Sequence, residues 1–190
     1  MPLRLRPVRL GFGRNSLEGR GPAKAFPILP EVRPQHVAHR VPQKCRMKIF
    51  PAKMTDEQAI KQLLADCDLP LGDLTSDHLR HFFVSRDGER LIGAAGLELC
   101  HEAALLRSVA VAGEFRSQGL GRQLVARAEE HARSHGVNSL WLLTTGVEHF
   151  FTRLGYEVTD RALAPKAIQI TTEFTSLCPS SSVCMVKRRI

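Results

Sequence analysis

The stretch from residue 104 to residue 144 restricts the fold of this chain more than any other. Ala104 to Val111 is an apolar run with strand character. From Gly119 to His135 the apolar residues Leu120, Leu124, Val125, Ala128 and Ala132 recur at helical spacing, and Gly136 supplies the stop. Ser139 to Thr144 is a second apolar strand run. A strand, a helix of about four turns and another strand read as a βαβ crossover, which lays the two strands parallel.

The preceding residues predict antiparallel pairing. Lys48 to Phe50 is a short strand, and Thr55 with Gln58 three residues on reads as a capping box opening a helix that buries Ile60, Leu63 and Leu64 and ends before Pro70. A short helical piece follows around Ser76 to Leu79. His81 to Arg86 and Arg90 to Leu99 read as a hairpin turned at Asp87-Gly88. Downstream, Glu148 to Leu154 predicts a short helix, Tyr156 to Val158 a strand, Pro165 to Phe174 a helix begun at a first-turn proline, and Ser182 to Lys187 a closing strand. The expected class is α/β (α+β), a mixed central sheet with flanking helices. At 190 residues and 43 % hydrophobic the chain suits a single domain.

The net charge of +8 raises nucleic-acid or membrane binding, but it is confined to one end. Residues 1–46 hold ten Lys/Arg against two acids and seven of the eleven prolines, whereas residues 47–190 hold seventeen basic residues against seventeen acidic ones. Residues 1–46 read as a disordered basic tail upstream of a start at Met47, and residues 47–190 as the working domain. Nucleic-acid binding by the tail is the minor alternative. No apolar run approaches the roughly 20 residues that cross a bilayer. The five cysteines lack CxxC spacing and suit reduced thiols in a cytoplasmic protein, and the cysteine spacings give no metal motif.

Chemistry concentrates in the loop Arg116-Ser117-Gln118-Gly119-Leu120-Gly121, with Arg122 behind it. It joins a strand C-terminus to a helix N-terminus, where backbone N–H groups and the helix dipole both favour an anion. Spacing excludes two familiar phosphate loops: there is no Gly-x-x-x-x-Gly-Lys-Ser/Thr, and Gly119-Leu120-Gly121 lacks the third glycine of a dinucleotide fingerprint. Read alone, the two glycines are equally compatible with a tight turn.

The whole string Arg107 to Leu124 resembles the first signature of the GNAT superfamily, the GCN5-related N-acetyltransferases, whose Arg/Gln-x-x-Gly-x-Gly/Ala loop holds the pyrophosphate of coenzyme A. Phe150-Phe151-Thr152-Arg153-Leu154-Gly155-Tyr156 is similar to the family's second signature. The resemblance covers residues 47–190 and implies an acetyl-CoA-dependent N-acetyltransferase. Leu105-Leu106-Arg107-Ser108, Leu143-Thr144-Thr145 and Thr172 to Pro179 further resemble the ArsN-type arsenic-resistance branch. That implies a small amino-group substrate, an amino acid or an arsenic- or phosphorus-containing analogue of one.

The resemblance also assigns roles. Backbone groups of Val109, Ala110 and Val111 would hold the pantetheine arm and the oxyanion, and Arg107, Ser108, Thr144, Thr145 and Glu173 would line the acceptor side. The family's usual tyrosine acid is replaced by Phe151. Glu98 is the leading candidate for a base, against a solvated strand-end carboxylate. His149 could relay protons or stand on a helix surface. Arg107 could clamp a substrate carboxylate or point outward from the pleat. A thiol pair of Cys178 and Cys184 is the least favoured arsenic site. Three further expectations stay open: a protein N-terminus or lysine as acceptor, a non-catalytic acyl-CoA sensor, and a homodimer in place of a monomer.

Overall fold

The computed structural model describes residues 47–190; the tail expectations fall on residues 1–46 and lie outside the described residues. Seven strands form one sheet: β1 (Ile49–Pro51), β2 (Phe82–Asp87), β3 (Arg90–Cys100), β4 (Ala103–Val111), β5 (Ser139–Thr144), β6 (Glu157–Thr159) and β7 (Val183–Arg188). Their order is β1-β2-β3-β4-β5-β7-β6. Among the described residues only β4 and β5 pair in parallel, and α2 (Leu120–Ser134) makes the crossover between them. The mixed sheet expected from the periodicities is present. Among the described residues no helix is long and apolar enough to cross a membrane.

Helix α2 packs on β3 and β4 through Leu120, Leu124, Val125, Ala128 and Ala132, all of them buried. Burying each leucine stabilises by about 1.5–3 kcal/mol. The helix closes on Gly136 in the left-handed region, with Val137 N–H donating to the Ala132 carbonyl and Gly136 N–H to that of Arg133, a Schellman end. Helix α1 (Glu57–Asp66) adds Ile60, Leu63 and Leu64 to the same core. Alternate residues of β4 serve two layers. Ala104 and Leu106 join the larger cluster, while Ala103 and Leu105 meet Trp141 and Ile168 of α4 (Lys166–Gln169) in a smaller one.

Three local expectations are corrected. Thr55 does not cap α1: a tight turn over Met54–Asp56 precedes the helix, and the Asp56 carboxylate accepts from Lys53 N–H (2.9 Å) and from Arg86 (2.7 Å). The β2–β3 turn has Gly88 and Glu89 at its centre, because Asp87 pairs with Arg90. Only Gly88 takes a positive φ (58°), as in a turn with glycine first. The helix expected from Pro165 to Phe174 is broken. It stops at Gln169, whose side chain turns back to the carbonyls of Ala162 and Ala164, and Thr171 Oγ1 takes the Ile168 carbonyl. A separate wide turn then runs over Glu173–Leu177, closed by Cys178 N–H donating to the Glu173 carbonyl.

Candidate active site

Strands β4 and β5 pair only from Ala103–Ser139 to Leu105–Trp141. Beyond Leu105 the two strands part, and from Leu106 to Val111 the β5-facing side of β4 borders a cleft of about 1310 Å³. A bulge marks the parting. Across from Ala94 and Gly96 on β3 stand Ala110 and Arg107, so β4 carries one extra residue there, and Ser108 has a φ of 55°. The extra residue re-aims the strand, putting Arg107 and Ala110 on the same face. Ser108 Oγ is buried there without a hydrogen-bond partner.

At one end of the cleft lie Arg116, Ser117, Gly119, Gly121 and Arg122 of the loop before α2, with Val109, Ala110 and Val111 on the wall and Arg153 opposite. Gly119 is the N-cap residue, with a φ of 88° that a side chain would strain. The exposed guanidinium of Arg116 folds back to the Val111 carbonyl (2.9 Å) and to Cys67 Sγ (3.5 Å). Two loop residues do not line the cleft. Gln118 turns away to the Glu114 carbonyl, and Leu120 is core. Phe151 does line it, buried at edge-to-face angles between Phe150 and Tyr156. Tyr156 is fully buried in the core, and that burial raises its phenol far above its usual range.

At the other end four ionisable side chains converge. The Arg107 side chain is wholly buried and donates to both oxygens of Asp73 (2.7 and 2.6 Å) and to Glu98, while its Nε lies 3.6 Å from Glu173. Arg107 is therefore committed to protein carboxylates; the expected clamp on a substrate carboxylate is corrected, and so is an outward-facing arginine. Burial opposes its charge, but the hydrogen bonds to Asp73 and the fields of Glu173 and Glu98 more than offset it, and its pKa rises. Burial also works to raise Asp73, and Arg107 outweighs it, holding that carboxyl below its usual range. Glu173 goes the other way: burial, and then Glu98 and Asp73, push it up to about 7 despite Arg107.

Glu173, Arg107, Ser108, Thr144, Thr145 and Cys178 line this end together. Glu98 does not. It is held between Arg107 and His78 (3.5 Å) behind the wall. His149 is exposed on α3 (Glu148–Thr152) and also lies outside the lining. Cys178 borders the cleft whereas Cys184 is buried in the smaller core cluster, and burial pushes both thiols up to about 11. Asp73 went unmarked in the sequence, since a lone acid in the turn after Pro70 carries no motif.

The cleft is thus framed by a split sheet, a glycine- and arginine-containing loop at a helix N-terminus, and a buried cluster of carboxylates around one guanidinium. The Acetyltransferase (GNAT) family matches residues 41–156, and the chain belongs to that family. It is an N-acetyltransferase with acetyl-CoA as cosubstrate. An uncharacterized N-acetyltransferase of Chlorobaculum tepidum is 35 % identical over 109 residues, 57 % of this chain and 68 % of that protein. An amino-acid acetyltransferase of Pseudomonas fluorescens is 34 % identical over 85 residues, 44 % of this chain; the match spans only 20 % of that longer enzyme. A Mycobacterium tuberculosis protein crystallised with CoA and NLQ shares the fold at a TM-score of 0.64 and 20 % identity, over 75 % of this chain and 99 % of that one.

Proposed function

We propose that the chain acetylates the primary amine of a small molecule, an amino acid or an analogue of one, with Glu173 as the group that takes the proton. The observation that carries this reading is Glu173 itself, a buried carboxyl on the cleft wall raised to about 7. A base poised near neutrality is what removing a proton from an ammonium at physiological pH requires. Glu98, tied to Arg107 and His78 behind the wall, becomes a positioning residue.

In this reading the anionic end of acetyl-CoA sits at Arg116 to Arg122, where the first N–H groups of α2 have no helical partner. The pantetheine arm lies along Val109 to Val111. With the bulge counted, Val111 and Arg107 stand opposite Gly93 and Gly96, three strand steps or roughly 10 Å apart, so the arm spans from the basic end to the acidic one. The acceptor arrives as an ammonium, drawn by three carboxylates around a single guanidinium, and gives one proton to Glu173. Its neutral nitrogen attacks the thioester, an N–C bond forms while backbone N–H groups of β4 hold the oxyanion, and the nitrogen gives its second proton to water as the C–S bond breaks. Phe151 has no proton to give. A free thiol ionises near 8.5, so the thiolate departs and collects its proton from water.

The amino-acid acetyltransferase likeness favours an amino acid, whose carboxylate must point away from Asp73, Glu98 and Glu173. The likeness of residues 105–108, 143–145 and 172–179 to the arsenic-resistance branch extends the panel to arsenic- or phosphorus-containing glutamate analogues. Release of free thiol from acetyl-CoA with such a panel is the test. At least one amine should give saturable turnover that Glu173→Gln reduces by about 10²-fold or more. Turnover by the variant at the wild-type rate would remove Glu173 from its role, and silence with every amine would remove the small-molecule acceptor.

A further inference from the structure

Away from the cleft, His81, His131 and His135 each bring a ring nitrogen within 4.8 Å of the other two. His131 and His135 stand one turn apart at the end of α2, and His81 closes the tight turn that leads into β2. We infer that this cluster binds a late first-row divalent metal ion, zinc(II) in the first place, through three imidazoles, with a fourth position open to solvent at exposed His135.

The donor chemistry sets the class of ion. Three imidazoles without thiolate or carboxylate suit zinc, copper or nickel, and they exclude magnesium and calcium, which require oxygen donors. The spacing is close to what an ion needs. His81 Nδ1 and His131 Nε2 are 3.0 Å apart, and two nitrogens at about 2.05 Å on a tetrahedral zinc would be roughly 3.3 Å apart. His135 is oriented by its surroundings, its Nδ1 2.8 Å from the His131 carbonyl, which as a donor leaves Nε2 carrying the lone pair. The Schellman end of α2 fixes His135 as its C-cap, and His131 packs edge-on against Phe83 (5.1 Å, 70°). These rings therefore have little freedom to lose on binding.

Arg80 and Arg127 lie near the cluster and weaken the hold on a dication, so the affinity falls short of a thiolate site. None of the three histidines lines the cleft between β4 and β5. The ion would act as a staple, tying the C-terminal end of α2 to the start of β2. Spacing hid the site from the sequence reading: His81 is fifty residues from His131, and a lone pair of histidines one turn apart on a helix is no motif.

The test uses full-length, tag-free protein stripped with a chelator and dialysed. Zinc chloride titrated by calorimetry should saturate at one ion per chain and raise the melting temperature by several degrees. Cobalt(II) should give the visible ligand-field bands of a low-coordinate site. Both responses should vanish in the His131→Gln/His135→Gln double variant and in His135→Gln alone, whose exposed side chain can change without disturbing the core; circular dichroism and coenzyme A affinity report that the fold is kept. Absence of saturable binding in the wild type would overturn the inference. So would one-to-one binding that survives in these folded variants, since it would then belong to His36, His39 or the cysteines.

Discussion

Replacing Glu173 with glutamine should make the protein more stable and less active at the same time. In the unfolded chain this carboxyl ionises near its ordinary 4.5, and in the fold it ionises near 7. Below pH 4.5 both forms are protonated and nothing differs. Between pH 4.5 and 7 the unfolded chain sheds a proton that the folded chain keeps, so stability falls as pH rises, and the loss is complete above the folded value. The gap of 2.5 pH units between 4.5 and about 7 corresponds to about 3 kcal/mol at neutral pH and under about 1 kcal/mol at pH 5, at about 1.4 kcal/mol per unit. Glutamine has no proton to lose and escapes this cost. Thermal melts at pH 5 and pH 8 should place Glu173→Gln above the wild type by roughly 5–10 °C more at pH 8 than at pH 5, taking about 2–4 °C per kcal/mol for a domain of this size. The wild-type kcat should climb with pH through about 7, as a base loses its proton, and the variant should lose that limb. Parallel melting shifts at both pH values, or a variant that keeps the wild-type pH–rate profile, would refute the reasoning.

Arg107→Met leaves Asp73, Glu98 and Glu173 without their shared cation and should cost about 3–5 kcal/mol, read as a fall in the urea midpoint; a midpoint within error of wild type would mean that the network contributes little. Phe151→Tyr places a hydroxyl on the cleft wall and should raise kcat several-fold in steady-state thiol release at saturating acetyl-CoA, and an unchanged kcat would show that proton supply to the leaving thiolate does not limit turnover. Gly119→Val forces a β-branched residue to the 88° φ of the N-cap and should weaken coenzyme A by about tenfold, the equivalent of about 1.4 kcal/mol of left-handed strain; equal affinity by calorimetry would withdraw the loop assignment.

The β4–α2–β5 unit was legible because its hydrophobic period changes from strand to helix and back, and the loop because its glycines and arginines sit at that junction. The roles around Arg107 were not. Asp73, Glu98 and Glu173 reach it from sequence separations of 34, 9 and 66 residues, and no local pattern marks long-range convergence of charge. The bulge was equally hidden, since a serine at a φ of 55° carries none of the signal a glycine would. The division of residues 165–174 reflects side chains of Gln169 and Thr171 competing for backbone carbonyls, which outweighs the helical preference of the stretch. Glu98 stands out in the sequence by its place at the end of an apolar strand, whereas the burial and partner geometry on which the proposal of Glu173 as base rests leave no mark there.

The parting of β4 from β5 has a consequence for how this protein behaves without its ligand. A strand that leaves its neighbour after Leu105–Trp141 is an edge strand in the middle of a sheet. Proteins commonly blunt such edges at the rim with charge, proline or a covering helix, because bare edges invite pairing with a foreign chain. Here the bare edge sits inside a cleft, where an extended cosubstrate with its own amide groups can take the place of the missing strand. Such a cosubstrate would guard against misassembly as well as donate an acyl group, and the ligand-free chain would be the form most prone to self-association.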